Sequence, residues 1–418
     1  MSTISLFQKR REIAIFSFVC IFIFIANVTF SYTEFINLKS KDKIFTNGQI
    51  LASYLKTNNK NRTYRVLKIK TDYGKIYTTI NKNSTIKSND MLHFGFYTKN
   101  IKFKDYLKGT FYAPSFARKI TSVSNNISTK LSNLIKSQHS NEKMGEFYSA
   151  LFLATPISKE LREDVYFWGI SHLVAISGYH AGIIFSFSFI IFLPIYKFFQ
   201  NRHFPYRNSK FDISIAVFTL LCFYLYLINF VPSFFRSVLM GLIGFYFISR
   251  NLKIFNFQTL FLTAMIAICI FPSLIFSIGF YFSMLGVFYI YLYINHFYHK
   301  FPLWINLIFL NIWTFLAMVI PVLYFFPLLS FQQLFVVPLT AIFGVFYPLS
   351  VFAHLCGYGD FLDFVLINFS SIRLEYTMVK IQSWQFYALN LLSLIAIRYK
   401  FVAVFVVLFG ILPFFTLI

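Results

Sequence analysis

The sequence predicts a polytopic α-helical membrane protein with a small all-β domain inserted after its first transmembrane helix. Three observations predict it. Of the 418 residues, 57% are hydrophobic and only 13% charged, with a mean hydropathy of +0.63. Too little polar surface remains to coat a water-soluble fold. Apolar runs of about 20 residues recur, the length that crosses a bilayer core. Between Lys39 and Lys119 these runs give way to short alternating segments separated by turn residues.

The elements follow in chain order. Lys9-Arg10-Arg11 precede an apolar run from Ile13 to Phe30, and Ala26-Asn27-Val28-Thr29-Phe30 is a poor cleavage site. Residues 1–36 are therefore expected as an uncleaved anchor with a cytoplasmic N-terminus, which places the next segment outside.

Residues 37–114 form the expected β-domain. Thr57-Asn58-Asn59-Lys60-Asn61, Asp72-Tyr73-Gly74, Asn81-Lys82-Asn83-Ser84 and Lys87-Ser88-Asn89-Asp90 are turn signals. Strand-like pieces lie between them at Tyr64–Lys70, Lys75–Ile80 and Met91–Tyr97. In the last, Leu92, Phe94 and Phe96 alternate with His93, Gly95 and Tyr97, the period of a half-buried strand. Several short strands in so little chain suggest a small barrel such as an OB-fold.

Residues 115–144 are expected as an amphipathic helix. Ile120, Val123, Ile127, Leu131, Leu134 and Ile135 fall near helical spacing among Arg118, Lys119, Lys130 and Lys136. Such a helix lies on a membrane surface or packs on the β-domain.

Residues 145–418 are the multi-span membrane domain. Spans are expected at Tyr179–Phe199, Phe211–Phe230, Arg236–Ile248, Phe257–Phe271, Leu274–Ile294, Leu303–Phe325 and Phe331–Phe352, with one or two more between Trp384 and Ile418. Basic loops at Asn201–Lys210, Arg250–Lys253 and His296–Lys300 are separated by two spans each, so all three fit the cytoplasmic side. An odd number of crossings then separates the β-domain from Asn201–Lys210. One crossing at Tyr179–Phe199 suffices if Gly145–Ile176 dips in and returns, with the break at Ser177-Gly178.

Polar residues inside the apolar part mark the candidate site. His172-Leu-Val-Ala-Ile-Ser177-Gly178-Tyr-His180 sits between apolar flanks, and ionisable groups at membrane depth usually face a bundle interior or a polar path. On a continuous helix His172 and His180 would stand about 12 Å apart along the axis, too far for one metal ion. A Ser177–histidine nucleophile pair has no acidic orienter near in sequence. The imidazoles either brace a broken helix or line a polar path, and the two are compatible. Arg236 either snorkels to the interface or offers a guanidinium to an anion. Gly279 and Ser283 are expected to serve close helix packing.

Lys and Arg outnumber Asp and Glu by 38 to 15, a formal charge of +23. Much of the excess lies in the β-domain, where Arg62, Arg65, Lys68, Lys70 and Lys75 are interleaved with Tyr64, Tyr73 and Tyr77. Cationic surfaces carrying aromatic platforms bind single-stranded nucleic acid without needing sequence. The alternatives are a solvated lysine face drawn to anionic lipid, or tyrosines serving as core. Cys20, Cys222, Cys269 and Cys356 show no CxxC spacing, which signals neither a disulfide framework nor a zinc site. No Walker-type phosphate loop is present. No metal or cofactor is expected.

Gly169-Ile-Ser-His172-Leu-Val-Ala-Ile-Ser177-Gly178-Tyr-His180 resembles the hallmark segment of the ComEC family of bacterial competence proteins, which take up DNA. Ile157-Ser158-Lys159-Glu160-Leu161-Arg162 resembles the family's lead-in, although Ala154-Thr155-Pro156 departs from its usual Gly-Asp. Downstream, in family order, Pro232-x-x-x-Arg236-Ser237-x-x-Met240, Gly279-Phe-Tyr281-Phe-Ser283 and Gln333-Leu-Phe-Val-Val-Pro338-Leu339 are similar to further motifs. Tyr281 and Gln333 stand where the family has Gln and Asn.

The resemblance implies an inner-membrane channel for single-stranded DNA during natural transformation, not an enzyme. It implies an OB-type domain outside that captures the strand, and a path past His172, Ser177, Gly178, His180 and Arg236. Partners implied are a periplasmic DNA receptor and a cytoplasmic helicase or strand-coating protein. The family's C-terminal metallo-β-lactamase-like domain, with its His-x-His-x-Asp-His ligands, is expected to be absent. A small-molecule or lipid transporter and an intramembrane hydrolase using Ser177 remain the other readings.

Overall fold

A computed structural model describes residues 10–57, 61–81, 90–123, 126–250 and 256–417. The chain divides into two units, Phe7–Leu134 with Leu262–Ile278, and Ile135–Phe261 with Gly279–Ile418.

The first unit opens with helix α1 (Arg10–Lys39), whose apolar middle is long enough to cross a bilayer. Strands β1 (Lys43–Thr57), β2 (Thr63–Thr71), β3 (Gly74–Ile80) and β4 (Asp90–Tyr97) follow. After them come the one-turn helix α2 (Phe103–Leu107) and strands β5 (Thr110–Tyr112) and β6 (Ser115–Val123). β2, β3 and β4 lie where alternation predicts them. The long β1 pairs antiparallel with both β2 and β4, β3 runs parallel to β5, and β4 pairs antiparallel with β6. The two ends of the sheet, β5 and β6, are separated in sequence by Ala113 and Pro114 alone. One bent strand thus serves both edges and curls the sheet closed, which removes the exposed edges an open sheet carries. Inside lie Ile50, Leu67, Ile69, Ile76, Leu92, Phe94, Phe96 and Phe111, together with Phe35 and Leu38 of α1.

The helix expected over residues 115–144 is corrected by the structure. Ser115–Val123 is strand, and helix α3 runs over Ile127–Ser137. Pairing to β4 overrides the helical spacing, and Phe116 packs on Phe45 and Tyr97 from that strand position. The turn residues 58–60 and 82–89, with Lys60, Lys82 and Lys87, and the basic residues Lys9 and Lys253, lie outside the described residues.

The second unit is helical. It contains α4 (Glu142–Leu153), α5 (Lys159–Phe167), the single turn α6 (Ser171–Val174), α7 (Gly178–His203), α8 (Ser209–Leu227) and α9 (Pro232–Ser249). Helix α10 (Phe257–Ile270) is divided between the two units. Then come α11 (Ile278–His296), α12 (Leu303–Phe325), strand β7 (Leu328–Ser330), α13 (Val336–Leu355), α14 (Asp363–Ser371), strand β8 (Tyr376–Met378), α15 (Ser383–Ile395) and α16 (Lys400–Phe409).

Among the described residues eight helices are long and apolar enough to cross a membrane. The expected span at Leu303–Phe325 coincides with α12. Leu274–Ile294 begins later, at Ile278, because Pro272–Phe276 forms a separate 3-10 turn. The 14 residues of α10 rise only about 21 Å at 1.5 Å each, short of the roughly 30 Å hydrocarbon core. Of the two helices after Trp384, only the second, extended to Leu417, has spanning length.

Candidate functional site

The nonapeptide does not form one helix. α6 ends at Val174, Ala175 is extended, and α7 starts afresh at Gly178 with Ser177 as its N-cap. Ser177 Oγ accepts from the Tyr179 N–H at 3.3 Å, and His180 Nδ1 accepts from the Ser177 N–H at 3.2 Å. This is a reciprocal capping box with histidine in the place usually taken by Glu or Gln. His180 is fully buried and edge-on to Phe343 and Tyr347 of α13, and no group among the described residues pairs with its Nε2. His172 is exposed, and its Nε2 lies 3.4 Å from Thr340 Oγ1. Tyr179 donates its hydroxyl proton to the Thr340 carbonyl at 3.0 Å. The two imidazoles thus occupy different environments, one inside the packing and one on a polar strip with Thr340 and Tyr179.

Gly178 holds the α7 terminus against α9. A Cβ there would stand 2.6 Å from Ser237 Oγ and 2.8 Å from Arg236 Nη2. Ser233 Oγ donates to the Ile176 carbonyl at 2.6 Å, tying the same helix to the chain break. Arg236 does not snorkel: it is 5% exposed. It donates from Nε to Ser283 Oγ and from Nη2 to Ser237 Oγ, both at 2.7 Å, and from Nη1 to Met240 Sδ at 3.4 Å. Ser283 therefore does more than ease helix packing. None of the ion pairs among the described residues includes Arg236. A buried guanidinium thus sits beside the positive N-terminal end of a 26-residue helix with hydroxyls and a thioether as its partners.

The remaining motifs brace the start of the segment. Gly169 adopts φ +64, and Gln333 packs over it. Gln333 Nε2 donates to the carbonyls of Tyr166 and Leu328 at 3.2 and 3.0 Å, pinning the turn that precedes α6. Below the lead-in, Asp164 is buried between Lys143 and Arg373, each 2.6 Å away, while Lys143 also meets Glu160 at 2.7 Å. The hydrogen bond and charge of Lys143 hold the Glu160 carboxyl below its usual range.

In the first unit, Lys68 stands opposite Tyr77 across β2–β3, and its ammonium lies 5.4 Å from that ring. Lys70 stands opposite Lys75. Strand alternation puts Tyr64, Lys68, Lys70, Lys75 and Tyr77 on one face, with Arg65 on the opposite parity beside core Leu67. Arg62 and the exposed Tyr73 lie in the flanking turns. Burial, then the like charges of Lys68 and Lys70, hold the Lys75 ammonium below the usual lysine range. Tyr64, Thr79, Asn81, Tyr112 and Arg118 border an open cleft of about 500 Å³. Sequence reasoning did not find Tyr112 or Arg118 as site residues. Tyr112 reaches Tyr77 through the parallel β3–β5 pairing, which has no local signal. Thr340 was missed too, though it lies seven residues after Gln333, two helical turns on from a motif legible in sequence.

The competence protein family matches residues 154–417, which hold every motif from Gly169 to Leu339. The chain belongs to the competence protein family. Family membership assigns it to DNA uptake in competence, with DNA as substrate, and its apolar helices make it a multi-pass membrane protein. No metallo-β-lactamase domain is indicated, and among the described residues no group of three His, Cys, Asp or Glu is placed to hold a metal ion. No curated protein and no solved structure was found to match the chain.

Proposed function

We propose that this competence protein is an inner-membrane channel that passes single-stranded DNA, not an enzyme. The observation that carries the reading is the convergence of three separated motifs on Arg236, through Gly178, through Ser237 and Met240, and through Ser283. Among the described residues, this buried cation is set against the N-terminus of α7 without a carboxylate partner. Two positive ends packed together favour an anion beside them, and a DNA backbone supplies phosphates one after another. His172, Thr340 and Tyr179 form the polar strip alongside, and Ser177, Gly178 and His180 fix the terminus.

In the same reading, the sheet from Lys43 to Val123 is an OB-like domain on the outer side, ending with β6 and not at residue 114 as expected from sequence. Its six-stranded sheet, with β5 and β6 joined as one bent strand and β3 parallel to β5, supports this. The face with Lys68, Lys70, Lys75, Tyr64 and Tyr77 captures the strand, with Arg62 and Tyr73 in the turns at its ends, while Arg65, expected to join it, points to the opposite face and donates to Ser53 Oγ. Residues 1–36 anchor the domain, the residues after Val123 lead from it, and 145–418 form the channel. A periplasmic receptor delivers DNA, and a cytoplasmic helicase or strand-binding protein draws it in.

The test is transformation frequency in cells carrying Arg236→Met and Arg236→Lys, with uptake of DNA to the outside of the inner membrane measured in parallel. R236M should lose transformation at unchanged delivery, and R236K should keep a part of it. Normal transformation in a stably inserted R236M protein removes Arg236 from the path.

A further inference from the structure

A second polar cluster lies outside this site, where the end of α13 meets the connection between α3 and α4 and the start of α14. His139 Nδ1 lies 2.9 and 3.0 Å from the two Asp363 carboxylate oxygens. His139 Nε2 lies 3.1 Å from His354 Nε2, and His354 Nδ1 lies 2.7 Å from the Ser350 carbonyl oxygen. Tyr148 of α4 covers both rings, stacked 4.8 Å above His139 and 4.6 Å from His354. The His139 side chain is wholly buried and that of Asp363 is 10% exposed.

With Asp363 ionised and His354 neutral, donor and acceptor capacity fixes the protons. The Ser350 carbonyl only accepts, so His354 Nδ1 carries a hydrogen. A neutral His354 then presents a bare Nε2, and His139 Nε2 must carry the hydrogen between the two rings. An ionised Asp363 also only accepts, so His139 Nδ1 carries one as well. Three contacts need three ring protons, and two neutral imidazoles bring two.

We propose that His139, His354 and Asp363 form a buried proton-binding site, holding one proton as a His139 imidazolium between the Asp363 carboxylate and His354. Losing that proton leaves two nitrogen lone pairs facing each other at 3.1 Å and a carboxylate without its cation. Gaining a further one, on His354, sets two N–H groups against each other. Either change pushes the end of α13 away from the α3–α4 connection, which Gln138 otherwise links by donating to the His354 carbonyl and accepting from the Gly359 N–H, both at 3.1 Å.

The experiment is nitrogen NMR of the full chain in lipid at neutral pH with ¹⁵N-labelled histidine. One imidazole should be protonated at both nitrogens and coupled through a hydrogen bond to the bare Nε2 of a second. H139Q and H354Q should each remove that coupling. D363N should convert the doubly protonated ring to a singly protonated one. The wild-type spectrum needs no variant to fold: two singly protonated rings in the pair, or no coupling between two histidines, overturns the proposal. A doubly protonated ring that persists in D363N overturns Asp363 as its counter-ion.

Discussion

Substitution of Gly178 by Ala adds a single methyl group where α7 meets α9. The new Cβ would lie 2.6 Å from Ser237 Oγ and 2.8 Å from Arg236 Nη2, whereas ordinary van der Waals separation begins at 3.4 Å. Both groups must retreat by more than half an ångström. Ser237 is held by its own hydrogen bond to the Ser233 carbonyl at 2.9 Å and by the one it accepts from Arg236 at 2.7 Å. A neutral hydrogen bond of this kind is worth about 1 kcal/mol net and one to a charged group about 1.5–3 kcal/mol. Alanine returns at most about 1 kcal/mol of helix propensity. The net cost expected for overpacking is about 1–3 kcal/mol. Breaking the Arg236–Ser237 hydrogen bond should lower transformation as well as stability. The assay is a double-mutant cycle of G178A and S237A, read by thermal unfolding in detergent and by transformation frequency. Removing the Ser237 hydroxyl opens room for the methyl group, so the pair should couple by at least about 0.5 kcal/mol. Additive effects, or a G178A protein that is more stable and fully active, refute the close approach.

Five further outcomes are expected. Ser177→Ala should destabilise the protein by about 0.5–2 kcal/mol through loss of the cap while leaving uptake measurable; a complete loss of transport at unchanged stability would favour Ser177 as a nucleophile. His180→Gln keeps an acceptor for the Ser177 N–H and should unfold at higher temperature than His180→Leu, and equal stability removes the capping role. Asp164→Asn weakens the pairing to Lys143 and Arg373, both partly exposed; destabilisation of about 1–3 kcal/mol in thermal unfolding is expected after discounting for solvent screening. For the full chain in lipid, replacing Lys68, Lys70 and Lys75 by Gln should weaken binding of single-stranded oligonucleotide and flatten its salt dependence by about 0.7 in log–log slope for each phosphate no longer neutralised. Because Lys75 titrates below 10.5, binding should begin to fall at a lower pH than an ordinary lysine allows, and Lys75→Arg should delay that fall.

Some features were legible because they depend on neighbours in the chain. The length of Leu303–Phe325, the alternation of Leu92, Phe94 and Phe96, and the Ser177-Gly178 break follow from span length, strand period and capping chemistry, each acting within a few residues. The same local logic failed at Ser115–Val123, where pairing to β4 outweighs helical spacing. Tyr112 beside Tyr77, Ser283 on Arg236, Thr340 against His172 and His139 against His354 left no trace in spacing. Sequence by itself determined the membrane class, the basic β-domain and the interrupted helix, since transfer energies and backbone periodicities are set along the chain. Only the tertiary structure decided which buried polar groups satisfy one another. That choice is made by close packing between segments as far as 224 residues apart and more, and a buried polar group left unpaired in such surroundings costs more than any local preference returns.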